Sequence, residues 1–391
     1  MTTSRWRITW PADILFGPGS RHQLGELLPA GRRVLAVVSR STAAVVAEVL
    51  PSHSTEVDRV VVSGEPVLDE VAAEVARVGP GAPDLVLAIG GGSVIDTGKA
   101  LAAFLPNRRH APRDHLEVVG AGHPLAVAPL PLAALPTTAG TGAEATHNAV
   151  LAVPDAARKV SLRDRRLTPR FVAVDPELGR DVPSKVALAA GLDAAVQLVE
   201  AAVSPLATPP SSMAALEGAR RALPALAKLV AGAADDADRE ALAYGALLSG
   251  IALANGKLGT IHGFAGVLGG HRELAHGALC GWFAPPVLEA TVAALRERAA
   301  SGDGAATRSL ARYGQLAALA MEQSAAGEAE AESLVAWFAE LVAMAELPPL
   351  DLVGLPTSEV VAGVQQASST RGNPVELSEQ QLRGILAHLE G

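Results

Sequence analysis

The stretch Pro83–Phe104, PDLVLAIGGGSVIDTGKALAAF, constrains the fold of this chain more than any other. Leu85–Ile89 has the length and composition of a buried strand; three glycines and Ser93 follow it, and a helical pattern carrying Asp96 and Lys99 comes next. A strand that runs through glycines into a helix N-terminus makes an anion cradle. Gly90, Gly91 and Gly92 can adopt positive φ and let backbone N–H groups approach a phosphate, while the helix offers its positive end. The spacing departs from G-x-G-x-x-G and lacks a GK[ST] ending, so this turn alone does not identify the ligand. A second Gly/Thr-rich segment, LPTTAGTGAEAT at 135–146, adds hydroxyl and backbone donors at Thr137, Thr138 and Thr141. Between them the two loops suit a pyrophosphate and two riboses.

The first half of the chain alternates short apolar runs with helical patterns. Val34–Val38, Val57–Val62 and Leu85–Ile89 read as strands, and 43–50, 67–78 and the segment after Ser93 read as helices. Such alternation predicts βαβ units, a parallel sheet and ligands bound off the carboxyl ends of its strands. After Asp175-Pro176 the pattern changes, and from Lys185 to about Leu347 the sequence is Ala-rich and helical in period. The expectation is an α/β, Rossmann-like domain over 1–182 and an all-α helical bundle over 183–391, since 391 residues suffice for two cores.

Composition narrows the partners. A formal charge of −9 argues against a nucleic-acid surface. The opening residues lack a signal-peptide pattern, and the longest apolar passage, Pro124 to Leu135, is broken by Pro124, Pro129 and Pro131, so no membrane span is expected. The single cysteine, Cys280, excludes an internal disulfide and agrees with a reducing, cytoplasmic compartment.

Read in order, Phe16-Gly17-Pro18-Gly19, GGGSVIDTGKA at 90–100, PTTAGTGAEAT at 136–146, Leu167-Thr168-Pro169 and Val174-Asp175-Pro176-Glu177-Leu178 form one series. Gly191-Leu192-Asp193-Ala194, His262-Gly263-Phe264-Ala265, His276-Gly277 and Asn373-Pro374 continue it. Over nearly its whole length the chain thereby resembles the metal-dependent, iron-containing alcohol dehydrogenases, whose superfamily includes glycerol dehydrogenase and dehydroquinate synthase. The resemblance implies hydride transfer between NAD(P)H and a small aldehyde or ketone, a divalent Fe, Zn or Ni ion, and a homodimer. It implies metal ligands at Asp193, position 197, His262 and His276.

Two departures keep other readings open. Gln197 stands where the family carries histidine. Its i,i+4 spacing from Asp193 puts it on the same helix face, but an amide oxygen is a weaker ligand than imidazole for a late divalent ion. Either a metal is held by Asp193, His262 and His276 with Gln197 as a weak or outer ligand, or the protein is a metal-free reductase like the maleylacetate reductases. A non-redox lyase or cyclase and a non-catalytic nucleotide-binding protein stand behind these. Gly266 replaces a histidine that relatives use near the nicotinamide, leaving His271 and His147 as candidate proton donors, with solvent relayed through the cofactor ribose as an equal alternative. Cys280, four residues after His276, would share that ligand's face on a helix, though a small buried filler is the favoured reading.

The end of the first cradle-domain strand, Ser39-Arg40-Ser41, has no carboxylate to hold ribose hydroxyls. Ser39 and Arg40 suit a 2′-phosphate, so NADP(H) is expected ahead of NAD(H). Lys159 matches a family lysine near the nicotinamide ribose, with a solvated surface lysine as an equal alternative.

Overall fold

The computed structural model describes residues 5–28, 32–50, 56–79, 81, 83–156, 158–270, 275–323 and 330–390. The chain forms two compact units: Thr9–Thr138 with Gly142–Val182, and Pro183–Gly391 with Ala139–Thr141 and the residues up to Ile8.

The first unit runs β1 (Asp13–Phe16), α1 (Ser20–Leu27), β2 (Arg33–Ser39), α2 (Val46–Val49), β3 (Glu56–Val62), α3 (Leu68–Val78), β4 (Leu85–Gly90) and α4 (Gly92–Phe104). Then come β5 (Leu132–Pro136), β6 (Asn148–Val153), β7 (Arg158–Arg163) and β8 (Phe171–Val174). Six strands form one parallel sheet in the order β1-β8-β5-β4-β2-β3, and β6 with β7 makes a separate antiparallel pair. The side-chain period of two divides each central strand between two cores. Leu35, Val37, Val86 and Ala88 enter one cluster; Val34, Ala36, Val38, Leu85, Leu87 and Ile89 enter the other. That is why these strands read as continuous apolar runs.

The order reverses between β2 and β4, the point at which doubly wound sheets bind ligands. Register brings Gly90 beside Pro136, so the ends of β4 and β5, and with them both Gly-rich segments, start side by side. The cradle glycines depart from expectation in one respect: none of Gly90, Gly91 and Gly92 adopts a positive φ. Their absent side chains matter through space instead. A Cβ on Gly90 would lie 2.6 Å from Val94 Cγ2, and one on Gly91 would lie 3.3 Å from Thr138 Oγ1.

The second unit is all-helical: α5 (Ser184–Val203), α6 (Pro209–Val230), α7 (Asp236–Gly256), α8 (Thr260–Leu268), α9 (His276–Ala300), α10 (Gly304–Ala320), α11 (Ala331–Met344), α12 (Thr357–Gln366) and α13 (Glu379–Glu390). Thr208, Asp235 and Asp303 cap α6, α7 and α10 through their side-chain oxygens, satisfying donors that helix starts leave open. Gly140 belongs to this unit, and a Cβ there would come within 2.8 Å of Ala190 Cβ.

The sequence predicted no membrane span, yet α5 and α9 are each long and apolar enough to cross a bilayer. The reason is their position inside the bundle: α5 is buried on every side from Gly191 to Val203, and a helix surrounded by protein is apolar all round.

Candidate active site

Within that buried half of α5, three side chains break the run of Ala, Val and Leu. Asp193, Gln197 and Glu200 are each 3% exposed and share one face by their i, i+4, i+7 spacing. Buried polar groups need partners, and α8, α9 and α7 supply them.

Asp193 Oδ1 lies 3.2 Å from His262 Nε2, 3.8 Å from His276 Nε2 and 3.7 Å from Cys280 Sγ, and that sulfur is 3.7 Å from His262 Nε2. One donor atom from each of the four residues falls within 4.8 Å of all the others. His276 and Cys280 open α9 one turn apart. The approach of α9 to α5 requires Gly277, whose Cβ would run into the Ala189 carbonyl and lie 3.2 Å from Asp193 Cβ. The side chain of His276 is 38% exposed and gives the cluster its solvent edge.

His262 is held from behind. Its Nδ1 is 2.7 Å from Glu200 Oε2, while Glu200 Oε1 accepts the Ile261 N–H at 2.7 Å. A carboxylate at the start of α8 meets the positive end of that helix. Gly259 makes the approach possible, since a Cβ there would sit 2.6 Å from Glu200 Oε1 and 2.8 Å from Asn373 Oδ1. Asn373 in turn accepts the Thr260 N–H at 3.2 Å. With Nδ1–H donating to Glu200, His262 presents Nε2 to Asp193 and Cys280. Glu200 was absent from the sequence expectations; its spacing from Asp193 was the available signal.

Electrostatics point the same way. Burial alone would raise the Asp193 carboxyl, but the hydrogen bond to His262 and the neighbouring His276 hold it below the usual range. Burial would lower His262, yet Cys280, Asp193 and Glu200 carry it well above its ordinary value. The buried carboxylates call for compensating positive charge, which protons on the imidazoles or a divalent cation would supply, and imidazole, carboxylate and thiolate are donors that a divalent transition metal accepts. The residues fit such an ion.

Gln197 is engaged elsewhere: its Oε1 accepts from Ser249 Oγ at 2.7 Å. A Cβ on Gly266 would meet nothing within 4 Å, so the space for a family-type histidine is open. His271 lies outside the described residues. His147 precedes β6 in the α/β unit, where its carbonyl accepts from the Asp164 N–H.

In the cradle, α4 begins at Gly92, and Thr137 N–H donates to the Gly90 carbonyl at 3.1 Å. Thr141 groups with the helical unit, apart from Thr137 and Thr138. Asp96 is used structurally: one oxygen accepts the Val150 N–H at 3.0 Å and the other lies 3.7 Å from Lys99 Nζ. Lys99, fully buried, also donates to Thr146 Oγ1 and the Asn148 carbonyl, so α4 is braced against the β6–β7 pair. Ser39 Oγ is 2.9 Å from Ser41 Oγ and 3.0 Å from Thr42 Oγ1, and Thr42 donates to the Ile89 carbonyl at 2.6 Å. This hydroxyl cluster ties the end of β2 to the end of β4, with Arg40 exposed beside it. Lys159 pairs with Glu65 at 2.7 Å.

Comparison with known proteins agrees with these features. Residues 11–176 match the family model for iron-containing alcohol dehydrogenase, and residues 187–389 match that for the C-terminal domain of the Fe-containing alcohol dehydrogenase family. The chain belongs to the iron-containing alcohol dehydrogenase family. It is 37% identical over 196 residues to the NAD-dependent methanol dehydrogenase of Bacillus methanolicus, a match that spans half of each chain. It is 31% identical to an alcohol dehydrogenase of Thermococcus barophilus, over 71% of this chain and 74% of that one. Among solved structures, a 1,3-propanediol oxidoreductase shares the fold with a TM-score of 0.84 at 24% identity, covering 99% of this chain and all of the other.

Proposed function

We propose that this protein is an NAD(P)-dependent alcohol dehydrogenase that interconverts a small alcohol and its aldehyde or ketone with the help of a divalent metal held by Asp193, His262 and His276. The observation that carries the reading is the convergence of these donors on one buried point, with Glu200 fixing the tautomer of His262.

Bound there, a divalent ion supplies Lewis acidity toward a carbonyl oxygen, and bound nicotinamide supplies the hydride. The chain's own residues do the rest. Glu200 orients His262, Asp193 contributes the negative donor, and His276 borders solvent where a small substrate enters. Gln197, hydrogen-bonded to Ser249, serves as an outer neighbour. Gly90–Ser93, Thr137 and Thr138 cradle the pyrophosphate with backbone N–H groups and hydroxyls, and Ser39 and Arg40 receive a 2′-phosphate, so NADP(H) is the preferred cofactor. Thr141 and Lys159 complete the cofactor contacts, Asp96 braces the cradle from behind, and His147 or His271 relays the proton. The domains are 1–182 for nucleotide and 183–391 for metal. The protein works in the cytoplasm as a homodimer, a state supported by exposed Ile14 and Phe16 on the edge strand β1 and exposed Trp10 just before it. Metal-free reductase, non-redox cyclase and non-catalytic regulator are not favoured.

The test combines elemental analysis of the purified protein with NADPH and NADH oxidation over a panel of small aldehydes, before and after chelation. Loss of turnover with the metal, and its return on adding Zn(II) or Fe(II), supports the reading. Full turnover in metal-stripped protein overturns it.

A further inference from the structure

We propose that Cys280, not Gln197, is the fourth ligand of the cation, and that its thiolate makes this a zinc-selecting site instead of an iron site. The inference rests on the metal-assisted reading above and assigns its ligand set.

Distance is the first argument. A tetrahedral site with metal–N and metal–O bonds of about 2.0–2.1 Å and a metal–S bond of about 2.3 Å separates its N and O donors by roughly 3.3 Å and its S and N donors by roughly 3.6 Å. The structure gives 3.2 and 3.8 Å from Asp193 Oδ1 to the two imidazole nitrogens, and 3.7 Å from Cys280 Sγ to both Asp193 Oδ1 and His262 Nε2. The sulfur stands where a fourth vertex belongs.

Surroundings are the second. A cysteine serving as packing would face apolar atoms. Cys280, with no exposure, belongs to the apolar core of the bundle, yet its sulfur also faces the carboxylate and the imidazoles, one helical turn from His276 and on the same face of α9. Gln197 is different in kind: it is neutral, its oxygen is the only atom of the amide able to ligate, and that oxygen already accepts from the fully buried Ser249.

The consequence is chemical. Asp193 and a thiolate bring two negative charges to a divalent ion, so the centre becomes neutral, and the soft sulfur favours Zn(II) over Fe(II).

The experiment is titration of chelator-stripped protein with Co(II), read by absorption, together with X-ray absorption of the Zn(II) form. Wild type is expected to show an intense near-ultraviolet thiolate-to-cobalt band and one sulfur in the zinc shell at about 2.3 Å. In Cys280→Ser the band disappears while weaker Co(II) binding persists, and in Gln197→Ala it stays. Because Cys280 is the only cysteine, the wild-type spectra decide the matter even if Cys280→Ser fails to fold. Stoichiometric Co(II) with no charge-transfer band, or an all-N/O zinc shell, overturns the ligand assignment and leaves the metal-assisted reading standing. Failure of wild type to bind either ion overturns both.

Discussion

Replacing Glu200 by glutamine probes how the site is held. The glutamate carboxylate accepts two donors at 2.7 Å each, the Ile261 N–H and the His262 Nδ1–H, both in a fully enclosed position. Glutamine has nearly the same size and only one acceptor oxygen, so one of those N–H groups must face an amide N–H₂. Leaving one buried donor unmet costs about 1–3 kcal/mol of stability. Loss of the carboxylate also frees the ring of His262 and its tautomer, and disturbing such an outer partner typically weakens metal binding about 10- to 100-fold. Two assays separate the effects: urea unfolding of metal-stripped protein reads the unmet donor, and competition with a chromophoric chelator for Zn(II) reads the positioning. A Glu200→Gln protein whose zinc affinity stays within about twofold of wild type would refute the claim that this carboxylate sets the geometry of His262.

Other outcomes follow from particular environments. Burial pushes the Glu144 carboxyl up from 4.5 to about 7, against the pull of Lys99. A raised folded value means that its contribution is complete below 4.5 and is lost as pH rises toward 7, by about 3 kcal/mol. Urea midpoints of Glu144→Gln should therefore be flatter than wild type across that window, and an unchanged slope would refute the assignment. Gly90→Ala should destabilise the α/β unit by about 1–3 kcal/mol in denaturant unfolding, because its Cβ meets Val94 at 2.6 Å, and a neutral result would mean that α4 can shift freely. Ser39→Asp should turn the kcat/KM ratio toward NADH by about tenfold or more, and a wild type already preferring NADH would sink the NADP assignment. Gly266→His should be accommodated and add a group titrating near about 6.5 to the pH–rate profile; an unaltered profile would separate this position from proton transfer.

The sequence made β2 and β4 legible because both are buried on two faces and read as unbroken apolar runs. It did not reveal β1 and β8, which have only four residues each, or β5, whose apolar run follows the proline-interrupted stretch. Asp193, His262 and His276 could be anticipated from the family resemblance. Glu200 could not be anticipated that way, since one glutamate in an Ala-rich helix looks solvated until its register with Asp193 is followed. The geometry of the glycine turn is not legible for a related reason: φ depends on how α4 docks against β4, and residue type alone does not carry that. Cys280 looked like filler because its neighbours come from α5 and α8, far away along the chain.

The apolar character of α5 bears on the chain before it folds. As it is synthesised, this twenty-residue helix presents a hydrophobic segment long enough to be taken for a membrane span. Asp193 lies at its midpoint, where an aspartate opposes insertion by about 2.5–3.5 kcal/mol, and Glu200 adds a second charge a few residues on. The carboxylates of the buried cluster thus also raise the cost of placing this segment in a lipid bilayer instead of in its own bundle.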